Sequence, residues 1–368
     1  MSKIRRAVGL MSGTSMDGID LALIETDGEE HVRRLDAASI PYDEAFRGSL
    51  RRAVAEARGV RQRSERPGVL AEVERELTER HAKAVLRFLG DRMLQPSGVD
   101  VIGFHGQTVL HRPEAGLTLQ LGDGPLLASR TGIDVIFDMR AADVAAGGQG
   151  APLAPVYHRA LAAKLPQRPA VVLNIGGVAN VTWIGADGSL IAFDTGPGNA
   201  LIDDLVRGTS GRSLDEDGRL AASGRPDERV VHSYLMHPYF AKPVPKSLDR
   251  NAFSLDLVDG LTPADAAATL AAFTAEAVVK AREHFPQEPA LWMVSGGGRR
   301  NRALMSMLAA RVENAVVPVE AVGLDGDMLE AEAWAYLAVR SLEGLPLTWP
   351  GTTGVARPTG GGVLARAP

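Results

Sequence analysis

The sequence predicts an α/β protein of two lobes facing a central cleft. Three observations predict it. The chain has 368 residues, more than one core of about 250–300 residues sustains. Hydrophobic residues make up 45% and charged residues 23%, the balance of an ordinary globular protein, which excludes a wholly disordered chain. A pattern of strand, glycine turn, strand and strand, followed by helices and further strands, occurs twice. Two α/β lobes with ligands at strand ends would follow.

Taken in order, residues 7–11 and 19–26 read as strands around Ser12-Gly13-Thr14-Ser15-Met16-Asp17-Gly18. That segment reads as a tight hairpin whose backbone N–H groups can face a ligand. Residues 32–40 predict a third strand, and 43–57 and 68–93 have helical apolar spacing. A buried strand over 100–104 leads into His105-Gly106-Gln107-Thr108. Short strands follow over 117–121 and 134–139, the last ending at Arg140. Gly147-Gly148-Gln149-Gly150-Ala151-Pro152 is a glycine-rich joint before a helix over 155–165, and is the expected domain boundary. Residues 1–145 would form the first lobe and 146–344 the second, with the irregular tail 345–368 packing back on the first.

The second half restarts with strands over 171–175, 178–184 and 190–193, separated by Gly176-Gly177 and Asp187-Gly188. The third of them ends at Asp194-Thr195-Gly196-Pro197-Gly198-Asn199, before a helix that starts at Ala200. A long helix over 262–284 is capped by Thr262, with Pro263 at its first position and Asp265 in its first turn. A strand over 290–294 ends in Ser295-Gly296-Gly297-Gly298. Helices over 300–310 and 327–342 and a strand over 316–319 complete the lobe.

The composition excludes several functions. No cysteine is present, which removes disulfides, thiolate zinc sites, iron–sulfur clusters and a cysteine nucleophile. A net charge of −5 gives no overall attraction for nucleic acid or an anionic membrane. The local cluster Arg58, Arg61, Arg63 and Arg66 reads as a solvated loop beside Glu65 and Pro67. No stretch approaches the about 18 apolar residues of a membrane span, and the first apolar run is too short for a signal-peptide core. A cytoplasmic protein is expected. No His-x-x-x-His pair and no Gly-x-Ser-x-Gly elbow occur.

Three glycine loops carry the chemistry. In the first, Gly13 and Gly18 are spaced like the start of a phosphate-binding loop, but Ile19 stands where lysine is needed. Asp17 and Asp20 flank that position. Amides that hold a polyphosphate beside carboxylates need a divalent cation to bridge the like charges, which points to Mg²⁺ and a nucleotide; a plain hairpin turn is the alternative. In the second loop, the Asp194 carboxylate at a strand end can act as a general base, or cap a helix in an Asx-turn. A single Asp-Thr-Gly triplet does not supply the pair an aspartic protease needs. In the third, Gly296, Gly297 and Gly298 allow a flat ring or a phosphate to approach, or serve tight packing. Jointly the loops fit a two-lobed phosphotransferase gripping ATP. His105 is a ligand for a sugar hydroxyl or carboxylate, or a structural histidine. Arg140 and Asp143 read as a substrate clamp or as a surface ion pair. Of Glu330 and Glu332 on the last helix, only one can face the cleft.

The residues also carry a family resemblance. The run Gly9-Leu10-Met11-Ser12-Gly13-Thr14-Ser15-Met16-Asp17-Gly18-Ile19-Asp20 resembles the N-terminal signature of anhydro-N-acetylmuramic acid kinases. The likeness continues through Phe104 to Thr108, Asp143 to Pro152, Asn174 to Asn180, Phe193 to Asn199, Gly296 to Gly298 and Glu330-Ala331, in the expected order. Ser247-Leu248-Asp249-Arg250, Met139 and the Arg300-Asn301 step depart from the family pattern. The resemblance implies an actin-like (ribonuclease H-like) fold around a nucleotide and substrate cleft, of the superfamily of acetate and sugar kinases, chaperones and actin. It implies that ATP phosphorylates O6 of 1,6-anhydro-N-acetylmuramic acid while water opens the ring at C1, in recycling of cell-wall peptidoglycan. By position, Asp194 would activate the water and Glu330 would support it. Gly13, Thr14, Ser15, Met16, Asp17, Gly18, Ile19 and Asp20 would hold ATP, with Asp17 and Asp20 on Mg²⁺. Gly176, Gly177, Gly296, Gly297 and Gly298 would complete the nucleotide contacts, and His105, Gln107, Arg140 and Asp143 would touch the sugar. A homodimer is implied. A kinase of the same fold for another sugar or a carboxylate, and a nucleotide-driven assembly protein, are the alternatives.

Overall fold

The structure, a computed structural model, describes residues 3–368. In chain order its elements are β1 (Arg5–Ser12), β2 (Gly18–Thr26), β3 (Val32–Pro41), α1 (Glu44–Ala57), α2 (Leu70–Gly90), β4 (Val101–Arg112), β5 (Leu117–Leu121), α3 (Gly124–Thr131), β6 (Val135–Phe137), α4 (Ala141–Ala145) and α5 (Pro155–Ala162). Then come β7 (Ala170–Ile175), β8 (Val178–Ile184), β9 (Leu190–Pro197), α6 (Ala200–Ser210), α7 (Arg219–Ser223), α8 (Glu228–Leu235), α9 (Pro263–Lys280), β10 (Leu291–Ser295), α10 (Arg302–Arg311), β11 (Ala315–Pro318), α11 (Leu329–Leu342), α12 (Pro350–Thr353) and β12 (Val363–Ala365).

The described chain divides into two compact units. One holds the residues through Ala163 together with Met328–Pro368, the other Lys164–Asp327. The first unit's sheet runs β12-β6-β4-β1-β2-β3, with β5 also on β4. The second runs β11-β10-β7-β8-β9. In both, the first three strands form an antiparallel meander, one strand (β4 or β10) adds in parallel beside the first, and another (β6 or β11) adds in parallel beside that one. The twice-repeated pattern is thus one sheet topology used twice, the actin-like (ribonuclease H-like) arrangement.

Residues 146–163 and 328–344, assigned to the second lobe from sequence, group with the first unit. The reason is α11. Its apolar face, Ala331, Ala335 and Ala338 among others, lies directly on β1 and β4. Two glycines make room: a Cβ on Gly9 would stand 1.8 Å from the Ala331 carbonyl oxygen, and one on Gly103 would stand 2.0 Å from that of Trp334. Nothing larger than glycine permits this approach. α5 joins α11 through Tyr157 and Tyr336, whose ring centroids are 5.4 Å apart. The tail adds β12 antiparallel to β6 in the same sheet.

The other face of that sheet is covered by α1 and α2, whose Phe46, Leu50, Leu77, Val85 and Phe88 are buried with Leu21, Leu23 and Phe104. In the second unit α9 is buried almost all round, through Leu270, Phe273 and Val278. It is capped by Thr262 as expected, its hydroxyl accepting from the Asp265 amide, with Pro263 in the first turn. The arginine cluster lies on a loop as expected, with Arg58, Arg61 and Arg63 exposed; Arg66 pairs with Glu74 at 2.8 Å, and Arg63 pairs with Asp138 and donates to the Thr118 carbonyl.

Candidate active site

In the first unit the β1–β2 hairpin closes on a bond from the Met16 amide to the Gly13 carbonyl, 3.1 Å. Met16 takes a positive φ of 56° to make the turn. The hairpin is anchored from behind. Ser12 Oγ donates to Gln107 Oε1 at 2.8 Å, and Gln107 Nε2 donates to the Gly13 carbonyl at 3.1 Å. Gln107 therefore holds the hairpin, and its amide group is spent on protein. Gly18 is required by packing, since a Cβ would stand 2.5 Å from the Ile40 carbonyl oxygen. Gly13 is not: its Cβ would meet only Ser15 Oγ, at an ordinary 3.4 Å. Asp17 is exposed and accepts from Ser15 Oγ at 2.8 Å. Asp20, on β2, accepts from Ser39 Oγ. These are hard carboxylate oxygens beside a run of turn amides, the donor type Mg²⁺ takes from protein while phosphate and water complete its shell.

His105 does not end its strand, as read from sequence. β4 runs on to Arg112, and the register against β1 slips between Leu10 and Ser12, so that His105 and Gly106 stand opposite Met11 alone. Gly106 takes a φ of 70°, where a Cβ would stand 2.2 Å from the Leu121 carbonyl oxygen. Such a bulge re-aims a side chain. The imidazole packs on Trp334 of α11, with centroids 4.5 Å apart. Its Nε2 accepts from Arg140 Nε and Nη2 at 3.2 and 3.1 Å. An arginine only donates, so the ring proton belongs to Nδ1. That Nδ1 is buried and has no hydrogen-bond partner. Burial, helped by the nearby Arg140 charge, keeps the imidazole pKa well below its usual value. The result is a neutral histidine with a spare donor. A cavity of about 70 Å³ lies against it, lined also by Arg63, Gln120 and Phe137.

Arg140 and Asp143 form no ion pair. Arg140 lies over Trp334, 5.0 Å from the ring, and donates to the Gly150 carbonyl at 2.9 Å. Burial lowers its pKa to about 10, so it stays a cation. Asp143 is 1% exposed, and both its oxygens are engaged, by the Gly150 amide and Thr353 Oγ1, each at 2.6 Å. It fixes the 147–150 loop under Arg140. The two glutamates of α11 separate as expected. Glu332 is buried and accepts from the Tyr157 hydroxyl at 2.7 Å. Glu330 keeps solvent contact, while the protein packed about it raises its carboxyl, Arg140 opposing the rise and Asp20 adding to it.

In the second unit Asp194 lies inside β9, not at its end. The register against β8 slips so that Thr195 is an extra residue between Asp194, opposite Asn180, and Gly196, opposite Ala179. Asp194 caps no helix. Its Oδ2 accepts from the Leu248 amide at 2.8 Å, and no other described residue bonds the carboxylate. Burial pushes this carboxyl up to about 7, with the Leu248 amide opposing.

The glycines nearby sort into two kinds. Gly198, Gly296 and Gly298 serve packing, since a Cβ on each would stand 2.3 Å from the Gly176 carbonyl oxygen, Asn174 Oδ1 and Ile175 Cγ2 respectively. Gly176, Gly177 and Gly297 have room, with nearest neighbours at 3.5, 3.7 and 3.7 Å. Their turn is held open by bonds from the Gly198 and Asn199 amides to the Gly177 and Gly176 carbonyls, 2.9 and 2.8 Å. Sequence reasoning singled out Ser247 to Arg250 as a departure from the family pattern, but missed that this segment meets Asp194 through the Leu248 amide, with Lys246 and Tyr239 beside it.

A family match and named relatives place the chain in the class of phosphotransferases with an alcohol group as acceptor. Within that class the chain is a member of the anhydro-N-acetylmuramic acid kinase family, whose model matches residues 5–367. It is 54% identical over 368 residues to the anhydro-N-acetylmuramic acid kinase of Rhizobium etli, covering 99% of this chain and 100% of that one. It is 56% identical over 357 residues to the protein of the same name from Rhodospirillum rubrum, covering 97% and 93%. Among solved structures it is similar to component A of the Acidaminococcus fermentans (R)-2-hydroxyglutaryl-CoA dehydratase, at 11% identity and a TM-score of 0.49, covering 92% and 99%. No helix among the described residues is long and apolar enough to cross a membrane.

Proposed function

We propose that the protein uses ATP to phosphorylate O6 of 1,6-anhydro-N-acetylmuramic acid while water opens the anhydro ring, giving N-acetylmuramic acid 6-phosphate and ADP, in the cytoplasm, as a homodimer, in the recycling of cell-wall peptidoglycan. The observation that carries the chemistry is Asp194. One carboxylate oxygen is held by the Leu248 amide and the other is left free. A carboxyl titrating near 7 is half ionised at neutral pH, which suits a general base.

The water oxygen bonds to C1 as its proton passes to Asp194. The C1–O6 bond breaks, O6 bonds to the γ-phosphorus, and ADP leaves with the bridging oxygen. The protein's part is to position and to neutralise. Free amides of the Gly13 to Gly18 turn and those of Gly177 and Gly297 would hold phosphate oxygens, whereas the Met16 and Gly176 amides already donate to the Gly13 and Val178 carbonyls at 3.1 and 3.2 Å. Asp17 and Asp20 would hold Mg²⁺, which supplies positive charge to the phosphates when bound. The spare Nδ1–H of His105 and the remaining donors of Arg140 would face the sugar and its carboxylate, with Asp143 fixing the 147–150 loop under Arg140 and Gln107 holding the Gly13 hairpin. Glu330 stays a proposal as a support for Asp194.

The deciding experiment uses ATP, Mg²⁺ and the anhydro sugar in ¹⁸O-labelled water, read by mass spectrometry. A product that gains one phosphate and one labelled oxygen supports the reading. ADP formed with the sugar unchanged would move the function to a nucleotide-driven assembly protein.

A further inference from the structure

β9 is the edge strand of the second sheet. Its outward N–H and C=O groups therefore need partners outside the ladder. At Asp194 they find them in a single arch, residues 239–248. The Asp194 amide donates to the Lys246 carbonyl at 2.9 Å. The Asp194 carbonyl accepts from the Tyr239 hydroxyl. The carboxylate accepts from the Leu248 amide at 2.8 Å. The arch is closed on itself by Lys246. Its ammonium donates to the Tyr239 and Phe240 carbonyls, both at 3.3 Å, and lies 4.8 Å from the Tyr239 ring centroid. Lys246 is only 9% exposed and Tyr239 only 2%. A lysine whose hydrogen bonds go to two main-chain carbonyls rather than to a carboxylate is costly to bury. It is explained by what it shapes.

We propose that Lys246 and Tyr239 are positioning residues for Asp194: together they hold the 239–248 arch so that the Leu248 amide grips one carboxylate oxygen and leaves the other aimed outward for the reacting water. The inference rests on the base role given to Asp194 above. Tyr239 acts by its hydroxyl on the Asp194 main chain, and Lys246 by tying its end of the arch to the adjacent Tyr239 and Phe240 carbonyls at the other end. Neither touches substrate. Losing the arch releases the Leu248 hydrogen bond. That bond favours the charged carboxylate, so its loss raises the Asp194 pKa above about 7.

The test uses the full chain with Tyr239→Phe, which keeps the ring, and Lys246→Met, which keeps the stem, with Lys246→Arg as the conservative variant. Four quantities are measured: kcat, KM for ATP and sugar, the pH profile of kcat/KM, and the Asp194 carboxyl titration by ¹³C NMR. Lys242, Lys280, Glu283 and His284 are the charged or titratable groups around Lys246, and His284 is followed in the same spectra. In both Tyr239→Phe and Lys246→Met, kcat is expected to fall about tenfold or more with both KM values within twofold. The acid limb and the Asp194 titration are expected to move together to higher pH, and Lys246→Arg to restore most of the loss. The double variant should lose less than the product of the two, since both act through one arch. A limb and titration that stay put, whatever happens to melting temperature, would overturn the brace. Asp194→Asn separates the two ideas. If it turns over normally while the titration moves in Tyr239→Phe, the base role fails and the brace stands as a structural device.

Discussion

Replacing Asp194 by asparagine should cost catalysis and add stability, and the stability gain should depend on pH in one direction. Burial lifts the carboxyl from 3.8 to about 7. The folded state therefore binds this proton more tightly than the unfolded chain. Its cost to stability is absent below pH 3.8, grows as pH rises through the window, and is complete above about 7. Three pH units at about 1.36 kcal/mol each give about 4 kcal/mol as an upper bound. Asp194 keeps partial solvent contact and one hydrogen bond, so about 2 kcal/mol is the reasonable expectation. Asparagine has nearly the same shape and its Oδ1 still accepts from the Leu248 amide, so the packing term cancels.

Melting is followed from pH 5 to 9 for wild type and variant. The difference, variant minus wild type, should widen up to pH 7 and then level off, at about 4–8 °C for a unit of this size. Other titrations occur in both proteins and drop out of the difference. Turnover should fall by about 10²–10⁴-fold. A difference that is flat with pH, or a variant less stable than wild type at pH 8, would refute the burial argument. A variant with native turnover would refute the base.

Four further outcomes follow. The pH profile of kcat/KM should show an acid limb near 7, set by Asp194, rate rising as pH rises; a flat profile from pH 5.5 to 8 would remove the assignment. Gly177→Ala should melt like wild type, because its Cβ meets nothing nearer than 3.7 Å, yet raise KM for ATP about tenfold or more if that turn meets phosphate. Gly103→Ala, whose Cβ would stand 2.0 Å from the Trp334 carbonyl, should instead destabilise by about 3 kcal/mol or fail to fold, read by urea unfolding. The buried imidazoles of His81 and His158 titrate at about 4, below their unfolded value. Their contribution is present above pH 6.5 and lost as pH falls towards 4, so unfolding on acidification should move to lower pH in His158→Gln, checked by circular dichroism.

How much of this was legible beforehand depends on the range of the forces involved. The strands, the capped helix α9 and the repeated meander were readable because apolar spacing, a Thr-Pro-x-Asp start and glycine turns are local. The unit to which α11 belongs was not. Gly9 and Gly103 lie far from Ala331 and Trp334 in sequence, and only packing shows that the missing Cβ atoms admit the helix. His105 and Asp194 were singled out from sequence, but their strands were ended too early. Both sit at register slips, and a glycine one or two residues on, Gly106 or Gly196, reads locally as a stop. In the sheet the slip does the opposite: it lets the strand continue while turning one side chain out of the alternation. The glycine loops resolve in the same physical terms. Gly296 and Gly298 answer to Asn174 and Ile175, so their packing reading holds, whereas a Cβ on Gly13, Gly177 or Gly297 would meet nothing nearer than 3.4 Å. A glycine that the fold does not require, in a turn whose carbonyls are already bonded from behind, leaves its amide face open. That is the geometry a phosphate needs, and it cannot be told from tight packing until the neighbours are in place.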